Sequence, residues 1–391
     1  MDPQNIQQGN MQDFVPNMGQ TEGPSAVLPS EFFPKGSPIS DPKTELDELI
    51  NTVIRGGGSD LHISTGRHPA IRVTGQLTFL IKRQEPDNAT VVKMLEILLG
   101  DKKKLDKFME EQEVDFSYNF GENRLRGNAF FQKGNVGIVM RLIPKVKTIS
   151  ELNLPPIIET YARKKQGFFL VVGPVGQGKS TTMAAMINLI NKERTEHIVT
   201  VENPIEYLFT PDRSMIDQRE VGIDTKDFNS ALKSVFREDV NVIMIGEMRS
   251  PETIATAVTA AETGHLVLST LHTNSASQTI DRIIDSFPPA QQDQIRIQLS
   301  NSLLGVFSQR LIPRIAGGLV PAYEFLLNNN AVANLIREGR THEIDVVIET
   351  GYEQGMIDMN RSLLELVQKG EISIENAYLN SLNPKALERL L

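Results

Sequence analysis

The chain has 391 residues, 40% of them hydrophobic and 23% charged, which is room for two or three domains with sizeable cores. It contains no cysteine, which excludes disulfides, cysteine–zinc sites and thiol catalysis. A net charge of −9 speaks against gripping nucleic acid by its phosphates; with no apolar run near the ~18 residues of a membrane span and no signal-peptide layout, a cytoplasmic protein without a nucleic-acid partner is expected.

Residues 1–42 are rich in Gln, Asn, Gly, Pro and Met, show no apolar period, and read as a disordered tail. Thr44-x-x-Asp47 resembles a capping box, and Leu46, Leu49, Ile50 and Val53 form a helical stripe that stops at Arg55-Gly56-Gly57-Gly58. Strands are predicted at 60–64, 70–75 and 114–120; in the last, Val114, Phe116, Tyr118 and Phe120 alternate. A helix over about 88–110 interrupts them. Its Lys102-Lys103-Lys104 run sits beside Asp101, Asp106, Glu110 and Glu111 and reads as a solvated face. Residues 124–132 and 137–143 read as a hairpin turning at Lys133-Gly134-Asn135. Together these make a small α+β domain, 43–145, with a proline-bearing linker at 146–156.

Beyond the linker, strands and helices alternate, which predicts an α/β domain with a mostly parallel sheet covered on both faces. Its strands are expected at 168–172, 197–202, 242–246 and 266–271. The last part reads as mainly helical. A helix over 290–309 carries Ile295, Leu299, Leu303 and Val306. Ile344-Asp345-Val346-Val347-Ile348 is strand-like by propensity and is read as helix from its surroundings.

The run Gly173-Pro174-Val175-Gly176-Gln177-Gly178-Lys179-Ser180 fits the phosphate-binding loop G-x-x-x-x-G-K-[ST]. An apolar run of strand length precedes it, and Met183, Met186, Ile187 and Ile190 mark a helix after it. Such glycines let backbone N–H groups turn around a polyphosphate, and the helix N-terminus adds positive partial charge. Lys179 can reach the β- and γ-phosphates of ATP, the Ser180 hydroxyl can ligate Mg²⁺, and Thr181 completes the set. Val242-Ile243-Met244-Ile245-Gly246-Glu247 is an apolar strand ending in a carboxylate. Glu247 there either orients the attacking water or merely caps a strand. In Thr200-Val201-Glu202-Asn203-Pro204-Ile205-Glu206, Glu202 is the better candidate for Mg²⁺, directly or through water, and Glu206 can be a surface acid. His265 and His272 are two of only six histidines. Their odd separation points the rings to opposite faces of one strand, against a shared metal. Phosphate contact, a contact across a subunit boundary and plain packing all remain open for them.

In these motifs the chain resembles the secretion-ATPase superfamily, most closely the type IV pilus retraction ATPases, over roughly residues 43–375. The likeness runs in order through Ser59-Asp60-Leu61-His62-Ile63-Ser64, 124–130, the P-loop, 200–207, Gln218-Arg219-Glu220-Val221-Gly222, Gly246-Glu247-Met248-Arg249, 264–273 and 279–285. Ala331-Val332-Ala333-Asn334-Leu335-Ile336-Arg337-Glu338 looks like the late helix motif of retraction ATPases. Extension and type II secretion ATPases typically carry a four-cysteine zinc module, which this chain lacks. The resemblance implies a PAS-like N-terminal domain, a RecA-like ATPase domain over 157–391 and a homohexamer at the cytoplasmic face of the inner membrane. It implies an inner-membrane platform protein as partner, with a second retraction ATPase as a further one. It also implies that ATP lies between the two domains, with Arg126 and Arg141 reaching its phosphates; read alone, these are surface arginines on a hairpin. One departure stands out. The family usually has Glu-Asp-Pro where this chain has Glu202-Asn203-Pro204, which keeps open an accessory subunit with weak or no hydrolysis.

Overall fold

The computed structural model describes residues 41–73, 75–121 and 123–391. The chain forms two compact units that divide between Leu142 and Ile143. Most of the tail expected at 1–42 lies outside the described residues. Its last residue, Pro42, opens helix α1 (Pro42–Arg55). The cap of α1 is Asp41, whose carboxylate accepts from the Lys43 and Thr44 N–H groups. The capping box expected at Thr44 is therefore not the start. An aspartate followed by proline is the stronger one, because the missing proline N–H sits where the helix has no partner for it.

In the first unit, β1 (Gly58–Ser64), β2 (Ala70–Val73), β3 (Gln76–Phe79), β4 (Glu113–Phe120), β5 (Asn123–Gln132) and β6 (Asn135–Leu142) form an antiparallel sheet ordered β3-β2-β1-β6-β5-β4. Phe116 of β4 is buried, and Val114, Tyr118 and Phe120 pack beside it, as their alternation requires. The expected hairpin is β5–β6. Lys133 and Gly134 form its turn with φ of 51° and 76°, a backbone that matches the twist of the strands. The single helix expected over 88–110 is two, α2 (Asn88–Leu99) and α3 (Lys102–Glu111). Gly100 ends the first at φ 64°, and the Asp101 carboxylate caps the second, so adjacent stop and start signals break what periodicity reads as continuous.

In the second unit, the strands are β7 (Gly167–Val172), β8 (His197–Glu202), β9 (Met215–Glu220), β10 (Val242–Ile245), β11 (Leu266–Leu271), β12 (Leu303–Pro313) and β13 (Leu319–Leu327). They are ordered β13-β12-β7-β11-β10-β8-β9, and only the β12–β13 pair is antiparallel. Every residue of β7 is buried, because both faces of the sheet are covered. Phe168, Leu170 and Val172 enter one core with α7 (Pro251–Glu262), and Phe169 and Val171 enter the other with α5 (Lys179–Glu193). In the segment 146–156, Ile149 and Leu154 are buried in that second core.

The helix expected over 290–309 ends early. α9 (Pro289–Ser302) gives way to β12 at Leu303, whose backbone is extended at φ −61°, ψ 130°. Leu303 and Val306 are core residues as predicted, but as members of a strand paired with β7. Gly305 sits tight against β13, where an added Cβ would lie 2.6 Å from the Leu326 carbonyl oxygen. The C-terminal part thus holds two long strands beside its helices. The 344–348 segment is helical, in α11 (Ile344–Thr350), as its surroundings predicted.

Candidate active site

Four neighbouring strands of the parallel sheet, β7, β11, β10 and β8, end at one edge, and each delivers one part of the site. The glycine loop follows β7 and runs into α5. Gly178 caps α5 with φ 77°, which leaves the first N–H groups of the helix facing the loop. Lys179 is buried, and its three ammonium donors are all used. They reach the Gly173 and Pro174 carbonyls at 2.8 Å each and the His272 Nδ1 at 3.1 Å. Burial pulls the Lys179 pKa down, against the attraction of Glu247 and Glu206.

An ammonium group only donates, so His272 Nδ1 is the acceptor and its proton sits on Nε2. That Nε2 lies 3.4 Å from Glu247 Oε1. Glu247 Oε2 accepts from the Arg249 guanidinium at 2.7 Å. Burial works to raise the Glu247 pKa, but the Arg249 and His272 contacts outweigh it and hold the carboxyl below its ordinary value. Lys179, His272 and Glu247 thus form one polar chain, with the acid ionised.

Glu202 is buried at the end of β8. It accepts from the Thr200 hydroxyl at 2.7 Å, the Gln218 amide at 3.3 Å and the Glu206 N–H at 3.3 Å. Burial pushes its pKa up to about 6 against those hydrogen bonds. Asn203 is exposed, so the residue that departs from the family pattern lies outside this network. The Thr181 hydroxyl is 2.7 Å from the Tyr207 hydroxyl, which ties α5 to the segment after Glu202. The Ser180 side chain has no partner among the described residues and is available to a ligand. One unpartnered hydroxyl and one carboxylate are a donor set that suits Mg²⁺, which takes few protein ligands and completes its shell with phosphates and water.

His265 is not brought to this site. It precedes β11 at the opposite edge of the sheet, where Nδ1 donates to the Ala260 carbonyl at 3.0 Å and the ring packs edge-on to Phe236. Arg126 and Arg141 are register partners on β5 and β6 of the first unit. Arg141 donates to Asp60 at 2.8 Å, and Arg126 is exposed. Sequence reasoning missed Tyr207, Gln218 and Gln309. The signal for Gln309 is the polar trio Ser308-Gln309-Arg310 between the apolar flanks of β12, with Gln309 almost wholly buried.

A strand, glycine loop and helix in a mostly parallel sheet, with a carboxylate on the strand two places away, define a P-loop nucleoside triphosphatase. The profile of the family described as "Type II/IV secretion system protein" matches residues 40–378, and the chain belongs to that family. Its relatives narrow the branch. It is 43% identical to the "Type IV pilus retractation ATPase PilT" of Pseudomonas aeruginosa over 335 residues, covering 85% of this chain and 97% of that protein. It is 40% identical to the "Type IV pilus ATPase PilU" of the same organism, covering 86% and 88%. A crystal structure of "the Pilus Retraction Motor PilT and Bound ADP" superposes with a TM-score of 0.82 at 44% identity, covering 88% of this chain and 98% of that one.

Proposed function

We infer that this chain is an ATPase that powers type IV pilus retraction. The observation that carries the chemistry is the chain from Lys179 through His272 to Glu247, built on a phosphate-binding loop. The motor role rests on the likeness to a pilus retraction ATPase across nearly that protein's whole length. ATP enters the loop, and Lys179 leaves its internal acceptors for the β- and γ-phosphates. Ser180, with Glu202 directly or through water, would hold Mg²⁺, which when bound would neutralise charge at the phosphates. His272, released by Lys179, faces the phosphates, and the ionised Glu247 orients water for in-line attack. By likeness to the family, Arg126 and Arg141 are the arginines assigned to sensing the γ-phosphate. The working form is a homohexamer at the cytoplasmic face of the inner membrane, acting on a platform protein and accompanied by a second retraction ATPase. Differential affinity for closed and open arrangements couples hydrolysis to motion. The exposed position of Asn203 favours an active enzyme over an accessory subunit, since the Glu202 hydrogen bonds do not use it.

Steady-state phosphate release tests the chemistry, with Glu247→Ala as the blank; activity equal to the blank would move the chain to the accessory role. Deletion in the host tests the direction of work. Long, static pili are expected, and bald cells would mean extension instead.

A further inference from the structure

We propose that Gln309 of β12 is a positioning residue that sets the shape of the phosphate-binding loop. Gln309 is 2% exposed, and its amide is used at both ends, one on the loop and one on the helix that follows it. Its Nε2 donates to the Gln177 carbonyl at 2.8 Å, and its Oε1 accepts from the Thr182 hydroxyl at 2.6 Å. Two residues on, the Leu311 N–H donates to the Gln177 side-chain oxygen at 2.6 Å, so β12 holds Gln177 at its main chain and its side chain together. The loop lies flush on this strand. A Cβ at Gly173 would stand 2.4 Å from the Gln309 carbonyl oxygen, and one at Gly178 2.9 Å from Gln309 Nε2. The middle of the loop, by contrast, is open: Val175 is largely exposed.

The physical consequence is specific. A loop that binds phosphate through N–H groups must turn its carbonyls away from the anion. Such carbonyls need donors, or they are left desolvated. Gln309 supplies that donor at Gln177, one residue before the glycine that caps α5. By holding Thr182 at the same time, it fixes the spacing between loop and helix. It acts through Gln177 and Thr182.

This inference rests on the loop being the nucleotide site, so the test separates the two. ADP affinity is measured on the full-length chain for the wild type, Gln309→Glu, Gln309→Leu and Lys179→Ala, with thermal unfolding as a check of folding. Gln309→Glu is nearly isosteric. Ionised, it still accepts from Thr182 but turns an acceptor toward the Gln177 carbonyl; protonated, it donates again. Relative to wild type at each pH, its affinity should fall about tenfold at pH 8 and recover as pH drops. The KM for ATP should rise while kcat holds within about twofold, the pattern of lost uniform binding. A folded Gln309→Glu with wild-type affinity at every pH would overturn the proposal, and so would a loss that pH does not move. Wild-type affinity in Lys179→Ala would instead overturn the nucleotide assignment of the loop. Gln309→Leu, if it folds, should lose affinity at all pH values, and wild-type binding by it would also overturn the proposal.

Discussion

The two ends of β11 differ in kind although one short motif spans both. At its C-terminal end His272 stands between the P-loop lysine and Glu247, in a chain of charged and polar groups. At its N-terminal end His265 donates to the Ala260 carbonyl and packs on Phe236, as an ordinary structural histidine does. In an open parallel sheet the loops after the strands gather at one edge, and ligands bind there. Six residues of strand therefore separate a histidine with chemistry from one that secures a helix to the sheet.

The strongest way to break this comparison is Lys179→Ala. It should bring phosphate release to background, because the loop loses its phosphate-neutralising charge; near-wild-type turnover would remove the site from this end of the sheet. Next in size is Glu247→Gln, which removes the water-orienting charge and should lower kcat by ~10²-fold or more while nucleotide binding survives. A calorimetric titration with ADP beside a rate assay separates the two effects. His272→Ala should lower kcat/KM for ATP more than tenfold, whereas His265→Ala should leave hydrolysis within about twofold and cost about 1–2 kcal/mol of stability. Equal losses of activity in the two histidine variants would erase the distinction between the ends.

The smallest effect concerns pH. Glu324, buried on β13, accepts from the Ala276 N–H, and burial raises its pKa to about 7. Burial likewise raises Glu202 to about 6. A carboxyl whose folded pKa exceeds its unfolded value binds more protons when folded, so its ionisation costs stability as pH rises from about 4.5 through 7. Thermal unfolding across that window should show Glu324→Gln with a shallower fall than wild type; parallel curves would mean that Glu324 is not the titrating group. Mg²⁺ dependence sharpens the other end. Its half-saturation should worsen as pH falls through about 6 and Glu202 protonates.

Much of the site was legible in residue order. The P-loop, Glu202 and Glu247 each stand at the end of an apolar strand, and apolar runs of strand length are read directly from sequence. What misled was periodicity without its interruptions. Gly100 and Asp101 split one helical stripe into two helices. Leu303 and Val306 kept helical spacing from Leu299 yet belong to β12. A buried apolar residue satisfies either pattern, and only the neighbouring strand decides between them.

The sequence alone determined that a triphosphate-binding loop sits between a buried strand and a helix, with acids at later strand ends, because those features depend on local spacing and backbone freedom. Tertiary structure alone decided which of the two histidines meets Lys179, and it brought Gln309, 130 positions after Lys179, against the loop. The reason is physical: side-chain direction along a strand is local, whereas the order in which strands lie side by side is settled by burial of both sheet faces at once.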